Sequence, residues 1–152
     1  MGRNGQGGDE VQPVRHAGGL AARYARRDGA SIIEASGEID LATIHLLEEM
    51  LGGVMDDGKA LVVDLHDVSY IDTTGLNMLM RLHEQCARRK TNMAVVFTSR
   101  NLWRIFSALS LQDVFRIFPS VDEALRALSH PDGAGRPSAR GEEADISTDR
   151  LD

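Results

Sequence analysis

The sequence lacks most of the features that mark secreted, disulfide-stabilised or membrane-spanning proteins. Cys86 is its one cysteine, which excludes an internal disulfide bond and a zinc site built from cysteines. No apolar run approaches the roughly 20 residues that a membrane-spanning helix needs. The first residues, MGRNGQGGDEVQPVRHAGG, do not contain the apolar segment of a secretory signal. We therefore expect a cytoplasmic protein with no membrane partner.

An excess of positive charge is also missing. The chain has 17 Lys and Arg against 23 Asp and Glu, so its formal net charge is −6. Proteins that bind nucleic acid gain much of their affinity from cations placed on phosphates, and nucleic acid is therefore not an expected partner. With 152 residues, 42% of them hydrophobic and 26% charged, the chain has the composition of one ordinary globular domain.

Both ends of the chain have the composition of tails. Residues 1–19 are rich in glycine and polar residues, and residues 129–152 combine proline, glycine and charge with almost no large apolar side chain. Such segments cannot bury enough surface to become ordered. The sequence therefore predicts a flexible N-terminal tail over 1–19, a folded domain over 20–128 and a disordered C-terminal tail over 129–152.

Between the tails, the hydrophobic period alternates between that of a strand and that of a helix. Strands are predicted in LAARYARR and SIIEASGEI, joined as a hairpin across Asp28-Gly29, and in ALVVDL, MAVVF and the short VFRIF. Helical spacing occurs from Leu41 to Met55, after Gly75, in LWRIFSAL and in SVDEALRAL, where Ser120 begins a capping box. This alternation predicts an α/β fold: a mixed central sheet, parallel crossovers and about four helices.

The turn after the central strand places an acid, two hydroxyls and a glycine before an apolar helix. These residues are Asp72, Thr73, Thr74 and Gly75. They suit an ordinary helix N-terminus, where an Asp or Thr cap is worth roughly 1 kcal/mol and glycine allows close packing. A hydroxyl held there could also receive a phosphate, because the N-terminus of a helix accepts anions. The four residues alone leave both interpretations open.

The longer segment ALVVDLHDVSYIDTTGLNMLMRLHEQCARRK resembles the STAS domain, and more closely its bacterial form, the anti-sigma factor antagonists. The resemblance is carried by LVVDL, by Tyr70 and Ile71, by the turn and Leu76, and by GEID at residues 37–40. It continues through LSLQDVFRIFPSVDEALRAL and covers nearly all of the predicted domain. What it implies is a single STAS-type domain of the α/β class.

The resemblance also implies a function in partner switching, without catalysis by this chain and without a cofactor. The unphosphorylated form is expected to bind an anti-sigma factor that is also a kinase, and so to free a sigma factor that acts in transcription, for instance in a stress response. The kinase would phosphorylate the hydroxyl directly after the acid, which is Thr73 here, with Thr74 as the second choice. Phosphorylation would release the partner, and a metal-dependent Ser/Thr phosphatase would reset the protein.

The expected partner-binding surface combines the turn, the helix after it and the GEID loop. Its residues are Asp40, Asp72, Thr73, Thr74, Gly75, Leu76, Asn77 and Arg81. Both loops are expected at the same end of the sheet. The sequence departs from the family pattern in two places: Thr73 replaces the commoner serine, and Ser110 stands where glycine is usual.

Histidines and Cys86 offer little support for a metal or redox site. His45, His66 and His83 lack the paired spacing of metal ligands, and His83 shares the spacing of the apolar stripe on the second helix. We expect it to be a packed histidine. Cys86 has no resolving cysteine in this chain, so it is expected to be a small buried apolar residue.

Two other kinds of function stay open at this stage. A magnesium site would need the carboxylates of Asp40, Asp64, Asp67 and Asp72 to converge, and no metal site is predicted. A small enzyme with a threonine nucleophile would need an activating base, and the sequence offers no recognisable one. Within the binding class, the alternative is a STAS scaffold or transporter-accessory protein that does not switch.

Overall fold

The computed structural model describes residues 8–54 and 60–129. These residues form a mixed seven-stranded sheet with helices on both faces. The strands are β1 (Glu10–Val11), β2 (Arg15–Ala17), β3 (Leu20–Arg27), β4 (Ala30–Ile39), β5 (Ala60–Ile71), β6 (Asn92–Val96) and β7 (Ile117–Phe118). The helices are α1 (Ile44–Val54), α2 (Thr73–Arg88), α3 (Arg100–Ala108) and α4 (Val121–Leu128), with a 3₁₀ turn at Leu111–Asp113. The prediction of a mixed sheet with about four helices is confirmed. Residues 130–152, most of the predicted C-terminal tail, lie outside the described residues.

The strand order explains how one edge of the sheet collects several loops. It runs β1-β3-β4-β5-β6-β7, with β2 also paired to β3. β3 is antiparallel to β4, whereas β4, β5, β6 and β7 are mutually parallel neighbours. Helices α1, α2 and α3 each begin after the carboxyl end of a parallel strand. That edge is where α/β sheets usually bind their ligands.

The predicted hairpin between β3 and β4 is confirmed, and its turn has a clear physical cause. Arg27 pairs with Ala30, so the loop contains only Asp28 and Gly29. Both loop residues have positive φ, 53° and 81°. A type I′ turn requires this conformation at both positions, and Asp-Gly adopts it at low cost.

The N-terminal boundary of the domain differs from the prediction. Residues 1–19 were expected to form a flexible tail, but β1 and β2 pair antiparallel with β3. Their side chains are almost all exposed, so the hydrophobic pattern contained no signal for them. Backbone hydrogen bonds to the otherwise open edge of β3 position these short strands instead. Residues 1–7 lie outside the described residues.

Apolar side chains are buried on both faces of the sheet, which explains the continuous apolar runs of β5 and β6. One face packs against α1, α2 and α3, and the other packs against α4. Consecutive strand residues alternate between the two: Ile33, Val63 and Val95 belong to the first cluster, and Ile32, Val62 and Val96 belong to the second. Among the residues described, none of the helices has the length and apolar character that crossing a bilayer needs.

Gly37, the first residue of GEID, determines the backbone path at the end of β4. Gly37 has φ +102°, and the strand register shifts between Gly37 and Glu38. A Cβ at Gly37 would lie 2.0 Å from the carbonyl oxygen of Gly19, an oxygen that also accepts a hydrogen bond from the N–H of Glu38 at 3.1 Å. The turn between β2 and β3 therefore packs directly against the end of β4, backbone to backbone.

Ser110, a departure from the family pattern, lies in a conformation that favours glycine. Its φ is +58° and its ψ is +29°, in the left-handed region. It connects the end of α3 to the 3₁₀ turn. A glycine would adopt this conformation without strain, whereas serine adopts it at some cost.

Two Gly→Ala variants test the role of Gly37 against a matched glycine. Gly37→Ala should lower the free energy of unfolding by about 1–3 kcal/mol or more, because the conformation is strained and the backbone contact is too close. Gly52 lies in α1, and a Cβ there meets nothing within 4 Å. Gly52→Ala should raise stability by up to about 1 kcal/mol, the difference in helix propensity. Urea denaturation followed by circular dichroism measures both, and equal changes would contradict the structural role of Gly37.

Candidate functional site

The ends of β4 and β5 bring the two predicted loops together. Ile39 pairs with Ile71 in parallel register, and the N–H of Asp72 donates to the carbonyl of Ile39 at 3.0 Å. Asp40 and Asp72 therefore leave adjacent strands at the same level. The expectation that both loops reach the same end of the sheet is confirmed.

Asp72 is the N-cap of α2. Its backbone is extended, and its Oδ1 accepts a hydrogen bond from the N–H of Gly75 at 3.1 Å. Its carbonyl accepts the N–H of Leu76 at 3.0 Å, the first bond of the helix. The carboxylate thus satisfies one of the N–H groups that a helix leaves without an internal acceptor. The capping interpretation of this residue is confirmed.

The two threonines occupy the first positions of α2 and differ in exposure. Thr73 is exposed, whereas Thr74 is partly buried. The N–H groups at these first positions have no acceptor within the helix, and the positive end of the helix dipole lies beside them. Thr73 is therefore the more accessible hydroxyl, and it stands where an added anion is favoured.

Gly75 and Leu76 were expected to contact a partner, but both are buried. A Cβ added to Gly75 would lie 2.6 Å from Cγ1 of Ile71 and 2.8 Å from Cγ2 of Ile39. Leu76 belongs to the core under α1, α2 and α3. The helix begins so close to the strand ends that only glycine fits, and apolar burial keeps Leu76 inside. These two residues position the helix and present no side chain to a partner.

Asp40 makes corresponding hydrogen bonds in the turn at residues 41–43, which leads into α1. Its Oδ1 accepts hydrogen bonds from the N–H groups of Ala42 at 3.0 Å and Thr43 at 3.1 Å. The buried Thr43 hydroxyl accepts from the N–H of Asp40 and donates to the carbonyl of Glu38, both at 3.0 Å. The sequence contained a signal for this network, because a polar side chain three residues after a capping Asp is typical of a reciprocal cap.

The outer side of α2 continues the candidate surface. Asn77 and Arg81 are both exposed, as expected from their positions off the apolar stripe. Nη2 of Arg81 lies 3.3 Å from Oε2 of Glu48 on α1, and both side chains are about half exposed. An exposed pair of this kind contributes little to stability. It does, however, orient charges of both helices next to each other on one surface.

Two large apolar side chains at this edge were missed by the sequence analysis. Leu41 is 75% exposed and Tyr70 is 47% exposed. Leu41 lies in the turn before α1, and Tyr70 lies near the end of β5. Hydrophobic character alone does not distinguish such exposed side chains from core residues.

The remaining candidates have structural roles. His83 packs edge-on against Phe115 with ring centroids 5.4 Å apart, which confirms the packed histidine. Cys86 is 1% exposed, and burial raises the pKa of its thiol to about 11, despite the opposing effect of Arg89. The predicted buried cysteine is confirmed. A thiol with this pKa is protonated at neutral pH and so a poor nucleophile.

Asp64 lies apart from Asp40 and Asp72, partly buried in a groove that Glu34 and Asp67 also line. Burial raises the pKa of its carboxyl, and Glu34 and Asp67 act in the same direction, against the hydrogen bond from the His66 N–H at 2.9 Å. Within residues 8–54 and 60–129, no three His, Cys, Asp or Glu side chains come together in a way that could hold a metal ion.

Two substitutions of Asp72 distinguish the contribution of its hydrogen bond to stability from the contribution of its charge. Asp72→Ala should lower the free energy of unfolding by about 0.5–2 kcal/mol, because the N–H of Gly75 loses its acceptor. Asp72→Asn should lower the free energy of unfolding by only a few tenths of a kcal/mol, since the amide oxygen can still cap the helix. Thermal unfolding of both variants provides the measurement. A large loss for Asn would show that the carboxylate charge, and not the hydrogen bond, stabilises α2.

Comparisons with known proteins agree with this architecture. The family model of the STAS domain matches residues 21–124, well over half of the chain. RsfA of Mycobacterium tuberculosis, named an anti-sigma-F factor antagonist, is 30% identical over 125 residues, which cover 80% of this chain and 96% of RsfA. RsfB of the same organism, with the same description, is 32% identical over 107 residues, which cover 70% of this chain and 87% of RsfB.

Solved structures give the same result. An anti-sigma factor antagonist from Mycobacterium paratuberculosis is similar with a TM-score of 0.68 at 32% identity, over 72% of this chain and 94% of that one. The anti-sigma factor antagonist SpoIIAA in its unphosphorylated form has a TM-score of 0.52 at 12% identity, over 78% and 93% of the chains, which shows a shared fold alone. The resemblance that the sequence suggested is confirmed: the chain belongs to the STAS domain family.

Proposed function

We propose that this protein is an anti-sigma factor antagonist that is switched by phosphorylation of Thr73. The unphosphorylated form binds an anti-sigma factor with serine/threonine kinase activity and so frees a sigma factor. The observation that carries the proposal is the exposed hydroxyl of Thr73 at the first position of α2, directly after the cap, in a chain whose relatives are named anti-sigma factor antagonists. Phosphorylation releases the partner, and a metal-dependent Ser/Thr phosphatase restores the binding form.

A phosphate on Thr73 is compatible with the folded domain. It adds a charge of about −1.5 to −2 at neutral pH. The side chain is exposed, so the new charge remains hydrated. The N–H groups in the first turn and the positive end of the α2 dipole favour an anion at this place. The modification therefore requires no rearrangement of the sheet or of the core.

The same phosphate disfavours binding of a partner protein. The unmodified site presents a small neutral hydroxyl directly after the capping carboxylate of Asp72. After phosphorylation, a dianion takes the place of the hydroxyl. A partner surface that fits the hydroxyl could bind only by removing the water that hydrates the phosphate. Desolvation of a charge in a protein interior costs several kcal/mol per ion unless it is paired. Release thus follows from a local change in charge.

The partner-binding surface consists of the two aspartates, the two threonines and the outer side of α2. Its side chains are Asp40, Asp72, Thr73, Thr74, Asn77 and Arg81. This surface needs no catalytic group of its own, because the kinase and the phosphatase move the phosphoryl group. Regulation by partner exchange is therefore the chemistry that this edge of the sheet supports best.

Phosphorylation and binding assays with Thr73 variants test the proposal. The partners to screen are the anti-sigma factors encoded in the source genome, each purified and supplied with Mg²⁺ and ATP. The wild type should bind one of them and gain the mass of one phosphoryl group. Thr73→Ala should bind with unchanged affinity and gain no mass. Thr74→Ala is the matched control and should still be phosphorylated.

The affinity of each form measures the switch itself. Phosphorylated wild type should bind about 100-fold more weakly than the unmodified protein, or about 2.7 kcal/mol. Thr73→Glu should show a smaller loss, because one carboxylate only partly imitates a phosphate. A phosphate mapped to Thr74, with Thr73 unmodified, would overturn the acceptor assignment. Binding without any phosphorylation would instead favour a STAS scaffold that does not switch.

The locality of the switch is a separate prediction. Amide NMR spectra of the two forms should differ only near residues 38–43 and 70–80, since the charge is accommodated at a helix N-terminus. The melting temperature should stay the same or rise slightly, because an anion at this position contributes roughly 0.3–1 kcal/mol. Widespread shift changes across β6 and α4 would mean that phosphorylation rearranges the domain.

A further inference from the structure

Two three-residue segments repeat the same arrangement at the ends of adjacent strands. Residues 39–41 read Ile-Asp-Leu and residues 71–73 read Ile-Asp-Thr. The two isoleucines are paired in the parallel ladder between β4 and β5, and both are buried. Position 41 is therefore the counterpart of position 73, one step beyond the strand end and its aspartate.

The aspartates of the two segments make equivalent hydrogen bonds. Oδ1 of Asp40 accepts from the N–H of Thr43, three residues on, and Oδ1 of Asp72 accepts from the N–H of Gly75, also three residues on, both at 3.1 Å. Asp72 thus caps α2, Asp40 holds the turn that leads into α1, and each residue directly after them is exposed. The phosphate acceptor proposed above has an apolar equivalent in the neighbouring loop, Leu41.

The spacing of adjacent strands and helices places Leu41 and Thr73 close enough to share one interface. Adjacent strands lie about 4.8 Å apart, and packed helices about 8–10 Å apart. Leu41 should therefore lie within about 10 Å of Thr73. A stable protein interface covers about 800 Å² on each partner, a patch roughly 30 Å across. A protein that encloses the Thr73 hydroxyl must also cover Leu41.

The exposure of Leu41 has no explanation within the described domain. Among residues 8–54 and 60–129 it is the most exposed large apolar side chain, at 75%, and it belongs to neither core cluster. Tyr70, 47% exposed, lies at the same edge of the sheet. An apolar side chain that a partner covers is removed from water, and that burial contributes to affinity.

We propose that Leu41 is an apolar anchor of the partner interface and enters an apolar recess of the anti-sigma factor beside Thr73. This inference rests on the function proposed above and adds a division of roles to it. Thr73 decides whether the complex forms, because its modification introduces charge. Leu41 supplies affinity that does not depend on the phosphorylation state, because its contribution comes from burial.

Leu41→Ser tests the anchor, with Leu109→Ser as the matched control. Leu109 is also exposed, at 57%, but it follows the last residue of α3, at the end of that helix away from Asp40 and Asp72. The probe is the purified anti-sigma factor that the screen above selects, titrated into each variant in a calorimeter. Circular dichroism should show that both variants keep the fold, since neither side chain is buried.

Leu41→Ser should weaken binding roughly 10- to 100-fold, the range expected when one buried leucine loses its contacts. Leu109→Ser should stay within about twofold of the wild type, and Leu41→Met should recover most of the affinity. In the kinase reaction, Leu41→Ser should raise KM for Thr73 phosphorylation and leave kcat unchanged, because the anchor binds and does not take part in the transfer.

The possible failures are distinguishable. If the wild type binds and the two serine variants have equal affinity, Leu41 is not an anchor, while the proposed function stands. If Leu41→Ser lowers kcat and leaves KM and affinity unchanged, the anchor is also overturned. If the wild type binds none of the anti-sigma factors, the proposed function itself fails, and the anchor fails with it.

Discussion

The parallel pairing of Ile39 with Ile71 is the contact on which the rest of the site depends. It places the ends of β4 and β5 at one level, and the N–H of Asp72 continues the ladder onto the carbonyl of Ile39. Without this register, Asp40 and Asp72 would not emerge side by side. The core on both faces of the sheet holds the two strands in that register, since a slip by one residue would move every side chain of a strand to the opposite face and disrupt the packing against the helices on both sides.

Each strand end then leads into a helix through an aspartate. Asp40 holds the turn before α1 and Asp72 caps α2, where the chain passes so close to the strand that Gly75 has no room for a side chain. Rigid capping and an exposed hydroxyl coexist because they use different groups: the carboxylate and backbone of Asp72 hold the helix, and the side chain of Thr73 remains free of the core. A modification can therefore change the surface and leave the scaffold intact.

The charge balance of the site suits a switch of this kind. The capping carboxylate of Asp72 directly precedes Thr73, and the ion pair of Arg81 with Glu48 lies about two turns along α2. A dianion on Thr73 would rely on backbone N–H groups and the helix dipole for its internal stabilisation. Those groups suffice for an exposed anion, but they offer nothing to a partner surface that must cover it.

The sequence by itself determined the order of strands and helices, the Asp28-Gly29 hairpin, the family and the neighbourhood of the turn at 72–75, because hydrophobic period and turn chemistry are local properties. The tertiary structure decided what local patterns do not contain. It added β1 and β2, which backbone pairing holds in place although their side chains are exposed, and it moved Leu76 into the core. It also aligned Leu41 with Thr73, because only the pairing of two strands far apart in sequence makes those positions equivalent.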